Sequence, residues 1–270
     1  MNVFHQHLKS ALIVLVIIFS GSLAHAQLPG FFQRMQLGYS YTMAWAEYQS
    51  KDELVDENTG AVYTKDVTTK VSSKFGYGGS IGSTIPVRKL GKKSMFAIGV
   101  DFTYNAYVWD YKVPMFSGYI YDSVGDIEGL DYLADFAFTG ATVQMGLPIS
   151  ADFKFGCDAI TDKTVRFCGT IGAGAYPSMS ATVDASNAGF GFGVTPFVKA
   201  EVGIMAGLCF KLRADISFGN IPFYKEGTSI YDWTNFKSAS SLTGKQAVSL
   251  SLIIMPFAWN WNSTGWWNTY

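Results

Sequence analysis

The sequence predicts an all-β fold: a transmembrane antiparallel up-and-down β-barrel of eight strands, with ten as the alternative. Three observations predict it. Bulky apolar and small polar residues alternate along segment after segment. Long and short connections between those segments also alternate. Ten charges inside the segments fall on the small-residue side. A strand sends successive side chains to opposite faces. A soluble barrel turns the bulky face inward, whereas a membrane barrel turns it to lipid and lines a tight interior with the small polar row.

Alternation is clearest in Met35–Ala46. Met35, Leu37, Tyr39, Tyr41, Met43 and Trp45 form one face, and Gln36, Gly38, Ser40, Thr42, Ala44 and Ala46 the other. The preceding Leu28–Arg34 reads as a lead-in, with Phe31 and Phe32 suited to a membrane interface. Gln49–Lys70 is polar and charged, carries the turn signal Asn58-Thr59-Gly60, and reads as a long loop. In the second strand, Val71–Ile85, Phe75, Tyr77, Ile81 and Ile85 oppose Ser72, Lys74, Gly76, Gly78, Ser80 and Gly82. Pro86–Ser94 is a short basic turn. The third strand, Met95–Asp110, sets Phe96, Ile98, Val100, Phe102 and Tyr104 against Ala97, Gly99, Asp101, Thr103 and Asn105. Lys112–Ala134 reads as a second long loop. The fourth strand, Phe136–Cys157, contains Pro148, which has no N–H to donate and predicts a bulge or break.

Asp158–Thr164 is a short turn, followed by a fifth strand, Val165–Met179, and a loop of small residues, Ser180–Gly189. The sixth strand, Phe190–Ile204, ends at the tight turn Met205-Ala206-Gly207. In the seventh, Leu208–Gly219, Leu208, Phe210, Leu212, Ile216 and Phe218 alternate with Cys209, Lys211, Arg213, Asp215 and Ser217. A long loop, Asn220–Gly244, leads to the eighth strand, Lys245–Phe257. This rhythm matches long external loops and short periplasmic turns, with both termini periplasmic.

The charges decide which face is inside. Lys74, Asp101, Asp152, Lys154, Arg166, Lys199, Glu201, Lys211, Arg213 and Asp215 all sit on the small-residue row. A Lys or Arg on the lipid face at mid-membrane costs roughly 2–4 kcal/mol, so exclusion from that face is expected. An eight-stranded barrel is only wide enough for side chains to fill. Unpaired buried charges are costly, so these ten are expected to pair across the lumen.

Residues 1–26 have the form of a cleaved export signal: Lys9, the apolar run Ala11–Phe19, and Ala24-His25-Ala26 before Gln27. The run is well short of the ~20 residues of a spanning helix. The expected organisation is therefore a signal at 1–26, a barrel at 27–257, and a Trp-rich tail at 258–270. Of the whole chain, 49% is hydrophobic, 16% is aromatic and 28 residues are Gly, yet the mature part has no apolar run long enough for a helix to cross a bilayer. The net charge is −1, or −2 once Lys9 leaves with the signal, so nucleic acid is not expected as a partner.

His5, His7 and His25 are the only histidines, and all lie in the signal. Gly78-Gly79-Ser80-Ile81-Gly82 matches the hydrolase elbow G-x-S-x-G. That elbow needs a strand-to-helix turn and a His base, and here the Ser lies mid-strand in a mature chain without His. Packing in a narrow lumen accounts better for these glycines, and for Gly172 and Gly174. No catalytic residue and no cofactor are expected. Asp122, Asp126, Glu128 and Asp131 cluster in the second loop and are weak candidates for a hard divalent cation, without EF-hand spacing. Cys157 and Cys168 flank one turn and are candidates for a disulfide, although alternation puts them on opposite faces. Cys209 has no evident partner, and no zinc pattern exists.

Leu147–Phe155 (LPISADFKF), Gly172-Ala173-Gly174 and the alternating ending resemble small outer-membrane β-barrel proteins of the OmpA/OmpX-like superfamily, in particular the Bacteroidetes type. The resemblance covers residues 27–257. It implies an outer-membrane location, outer-membrane lipid and the barrel assembly machinery as partners, and no particular activity. Such barrels usually end on an aromatic residue. Here Phe257 closes the last strand, but the chain continues to Tyr270, which is why ten strands stay open. Barrels of this kind resemble porins in form, but the expected role is that of a structural or interaction protein. Loops 49–70, 112–134 and 220–244 would present a surface to an unidentified extracellular ligand or protein. A small-solute or ion channel is the alternative, and an outer-membrane enzyme, disfavoured by the absent His, is third.

Overall fold

A computed structural model describes residues 32–56, 59–183, 187–229 and 236–261. The expected signal peptide and residues 262–270 of the tail lie outside the described residues. Nine strand segments form one antiparallel sheet: β1 (Gln36–Val55), β2 (Val62–Lys89), β3 (Ser94–Tyr121), β4 (Ile127–Gly146), β5 (Ile149–Gly156), β6 (Phe167–Val183), β7 (Asn187–Ala206), β8 (Leu208–Ser229) and β9 (Phe236–Met255). β4 and β5 are two halves of one strand. They lie end to end between β3 and β6, broken at Leu147-Pro148 where the missing N–H was expected to interrupt the ladder. β1 pairs with both β2 and β9, and β2 pairs with β3, so the sheet closes into an up-and-down ring of eight strands.

One end of the barrel, called the lower end below, carries the short connections and the segments flanking β1 and β9. The connection after β5 holds a single helical turn, α1 (Cys157–Ile160). The long hairpins rise from the upper end, and here the structure corrects the sequence reading. Most of Gln49–Lys70, Lys112–Ala134 and Asn220–Gly244 is not loop. β1 and β2 stay paired out to Val55 and Val62, β3 and β4 out to Tyr121 and Ile127, and β8 and β9 pair again above Phe218. β2 and β3 are 28 residues each. At about 3.3 Å per residue and a tilt near 45°, that is roughly 65 Å of wall, against an apolar belt of about 25 Å in a membrane barrel.

The belt is present on the outside. Leu37, Tyr39, Tyr41 and Trp45 on β1 are exposed, as are Phe96, Phe102 and Tyr104 on β3, Val143 and Ile149 on β4 and β5, and Leu250 and Leu252 on β9. From Leu37 to Trp45 is nine residues, the length that a tilted strand needs to cross hydrocarbon. Above Trp45 the outward row of β1 becomes Glu47, Gln49, Lys51 and Glu53.

Candidate functional site

The interior is the candidate site, and it has three layers. The lowest is ionic. Among the described residues, five bases (Arg34, Lys154, Lys199, Lys211 and Arg213) meet five acids (Asp101, Asp152, Asp158, Glu201 and Asp215) inside the lower barrel. Arg213 donates from Nη1 to Asp101 at 3.0 Å and from Nε to Glu201 at 2.7 Å. Lys211 bridges Glu201 at 3.1 Å to Asp158, which also accepts from Lys154 at 2.7 Å. Arg34 lies 3.8 Å from the Asp158 carboxylate and donates to the carbonyls of Asp158 and Ala159. Lys199 pairs with Asp152 at 2.9 Å. Burial alone would raise the Asp158 carboxyl; the Lys154, Lys211 and Arg34 charges outweigh it and hold the group well below the usual carboxylate range.

Eight of the ten expected lumen charges are in this layer, and two are not. Lys74 points outward, 62% exposed, and pairs with Asp110 at 3.5 Å. The β2–β3 register slips between Ser73 and Phe75, so Lys74 is the extra residue of a β-bulge. A bulge shifts the in-and-out parity of everything beyond it, which is why Val71 and Ser73, and not Ser72, face inward. Arg166 precedes the first residue of β6, sits on the rim and is exposed. The two members that the sequence reading missed left unequal signals. Arg34 continues the even, inward row of β1 through Gln36, so parity could have found it. Asp158 lies in α1, where strand alternation no longer applies.

The middle layer is a cavity of about 50 Å³, bordered by polar side chains such as Ser40, Asn105, Arg213 and Asp215 and by the apolar Phe197 and Val248. That is room for a few waters. Ser80 of the G-x-S-x-G stretch borders it too, from the middle of β2, with no helix after it. The glycines of this stretch relieve crowding: a Cβ on Gly82 would lie 1.7 Å from the Asp101 carboxylate.

The upper layer is apolar. Tyr48, Tyr107, Trp109, Tyr111, Ile221, Phe223 and Leu242 are fully buried and pack together. The Trp109 and Phe223 rings meet edge to face at 5.0 Å, and Tyr111 stacks on Phe138 at 4.7 Å. The Trp109 indole N–H donates to Thr142 at 2.8 Å, so its one polar atom is satisfied. Higher still, buried Asp52 accepts from Ser50, Ser238 and Tyr132, which ties three hairpins together.

The acids of the second hairpin do not form a cation cage. Asp122 accepts from the backbone N–H of Asp126 and Val124, both at 2.8 Å, and these bonds keep its carboxyl below its ordinary range. Asp131 accepts from Ser117. Asp126 and Glu128 are not gathered with them around one point; among the described residues the only group of three or more His, Cys, Asp or Glu side chains close enough to share an ion is Cys157, Cys168 and Cys209. All three are buried thiols. The face count that separated Cys157 from Cys168 fails because Gly156 takes φ +81°, which turns Cys157 off the strand and inward.

No protein-family model matches the chain, and neither does any curated protein sequence. Among solved structures, the chain is similar to Neisserial surface protein A, at 11% identity and a TM-score of 0.33, over 80% of this chain and 94% of that one. It is also similar to the outer membrane protease OmpT from Escherichia coli, at 5% identity and a TM-score of 0.36, over 81% of this chain and 96% of that one.

Proposed function

We propose that this protein is an integral outer-membrane barrel of structural or adhesive role, with a closed lumen and raised hairpins that form a binding surface. The observation that carries this reading is the filled interior. A chain of ion pairs lies across the lower barrel and an aromatic stack across the upper, with a small cavity between them. The exposed apolar belt supports a lipid environment, since a contiguous surface of that size is unfavourable in water. The short turns and the described segments flanking β1 and β9 then face the periplasm, in keeping with an export signal at residues 1–26. A partner outside the cell would meet the hairpin tips, where loops on a rigid scaffold concentrate function. Residues 27–270 contain no His, so a His-dependent hydrolase is disfavoured. The kinship to OmpA/OmpX-like barrels of Bacteroidetes type rests on the motifs quoted above.

Reconstitution of the purified protein in planar bilayers tests the closed lumen. The expected result is no stable single-channel steps. Reproducible unitary conductance would overturn the plugged reading in favour of a channel.

A further inference from the structure

At the lower mouth, below the ion pairs, three cysteines from separate parts of the chain converge. Cys157 opens α1, Cys168 is on β6 and Cys209 on β8. Their sulfurs lie within 4.8 Å of one another, and the Cys168 and Cys209 sulfurs are 3.8 Å apart. β7 runs between β6 and β8 and presents Gly203, where a Cβ would come within 2.9 Å of the Cys168 sulfur. The missing side chain lets the two thiols meet across an intervening strand.

Strand geometry sets what this group can do. Two strand spacings put the Cys168 and Cys209 backbones roughly 9–10 Å apart. A disulfide needs Cα atoms closer than about 7 Å, so that pair cannot be bonded without moving the wall. Three thiolates around one cation suit the spacing: a metal–sulfur bond of ~2.3 Å, as zinc makes, puts sulfurs in a trigonal plane about 4 Å apart. The thioether residues Met205 and Met255 pack in the same cluster beside Trp261. Zinc in structural sites takes four ligands, and among the described residues no fourth His, Cys, Asp or Glu joins these three. Soft thiolate and thioether surroundings favour Cu(I).

We propose that Cys157, Cys168 and Cys209 form a three-thiolate site for the soft monovalent cation Cu(I). Each thiol that coordinates gives up its proton to solvent as the metal–sulfur bond forms, with no change of oxidation state. The cover is the segment after β9: Trp261 is buried and its indole donates to the Gln33 carbonyl at 2.9 Å, which fastens that segment to the one before β1.

The full chain, extracted from outer membranes in detergent, tests the site. Intact mass and thiol counting on the unreduced protein are expected to show three thiols. Loss of two hydrogens would mean a disulfide from Cys157 to Cys168 or Cys209 and would overturn the proposal. Anaerobic titration against a chromogenic Cu(I) chelator is expected to give one Cu(I) per chain. Cys209→Ser should weaken binding by more than about 100-fold, beyond the roughly 10–100-fold of losing an outer-shell partner. Unchanged binding in that variant refutes the site, since a three-thiolate site needs all three sulfurs. If Cys209→Ser fails to fold, native mass spectrometry of the unaltered protein with Ag(I) decides: one bound ion supports the site and none overturns it.

Discussion

The lower and upper halves of the barrel solve opposite problems with the same strands. Below Trp45, β1 turns Leu37, Tyr39 and Tyr41 outward and Gln36, Ser40 and Thr42 inward. Above it, Glu47, Gln49 and Lys51 face out while Tyr48 and Leu54 face in. β3 does the same, from Phe102 out and Asp101 in to Asp110 out with Trp109 and Tyr111 in. The lower half is inside-out, as lipid requires. Above the belt, these stretches of β1 and β3 turn polar side chains outward and apolar ones inward, as in a barrel surrounded by water. The difference shows that polarity of a face follows the solvent outside it, and that the interior takes whatever the outside rejects. The crossover is marked by two exposed ion pairs on the outer wall, Lys74–Asp110 and Lys245–Glu47.

The largest effect is expected from breaking the ionic half. In Asp158→Asn the side chain keeps its size, but Lys154, Lys211 and Arg34 lose their shared counter-charge. Stranding buried charges costs about 3–5 kcal/mol. The unheated band on a detergent gel should then convert to the slow, unfolded mobility at clearly lower temperature than in the unaltered protein. An unchanged transition would mean that the network is not holding the lower barrel together.

A smaller effect should sharpen the boundary between the halves. Leu252→Arg places a charge in the apolar belt, where it costs roughly 2–4 kcal/mol. Gln49→Arg, on the outer wall of β1 above the crossover, should stay within about 0.5 kcal/mol, as surface changes do. Unfolding in lipid vesicles measures both. Equal losses would put the boundary in the wrong place.

The smallest effect concerns the crossover itself. Lys74→Ala removes an ion pair between two half-exposed side chains, worth under about 1 kcal/mol. A loss comparable to that of Asp158→Asn would return Lys74 to the lumen and contradict the bulge.

Most of the lower half was legible from alternation. A lipid-facing row is long, apolar and regular, and a lumen row holding every charge is its complement, so Asp101, Lys154, Glu201, Lys211 and Arg213 could be assigned by counting. The upper half was misread as loop because its outer row is charged and its turns are short. A strand that keeps its geometry while exchanging its solvent has no continuous apolar face to follow. Glu47 to Val55 nevertheless alternates, with the same odd residues outward and the polarity of the two faces exchanged. Lys74 was misplaced because a bulge leaves no mark in composition.

The sequence by itself determined the alternating strands, the inversion of the lower wall and the break at Pro148, because each depends on neighbours one or two residues apart or on a missing N–H. Only the tertiary structure decided which charges pair, that Asp158 joins them, and that Cys157, Cys168 and Cys209 meet. Those contacts depend on the register of strands far apart in the chain, and on a glycine turn at Gly156 that carries α1 under the barrel mouth.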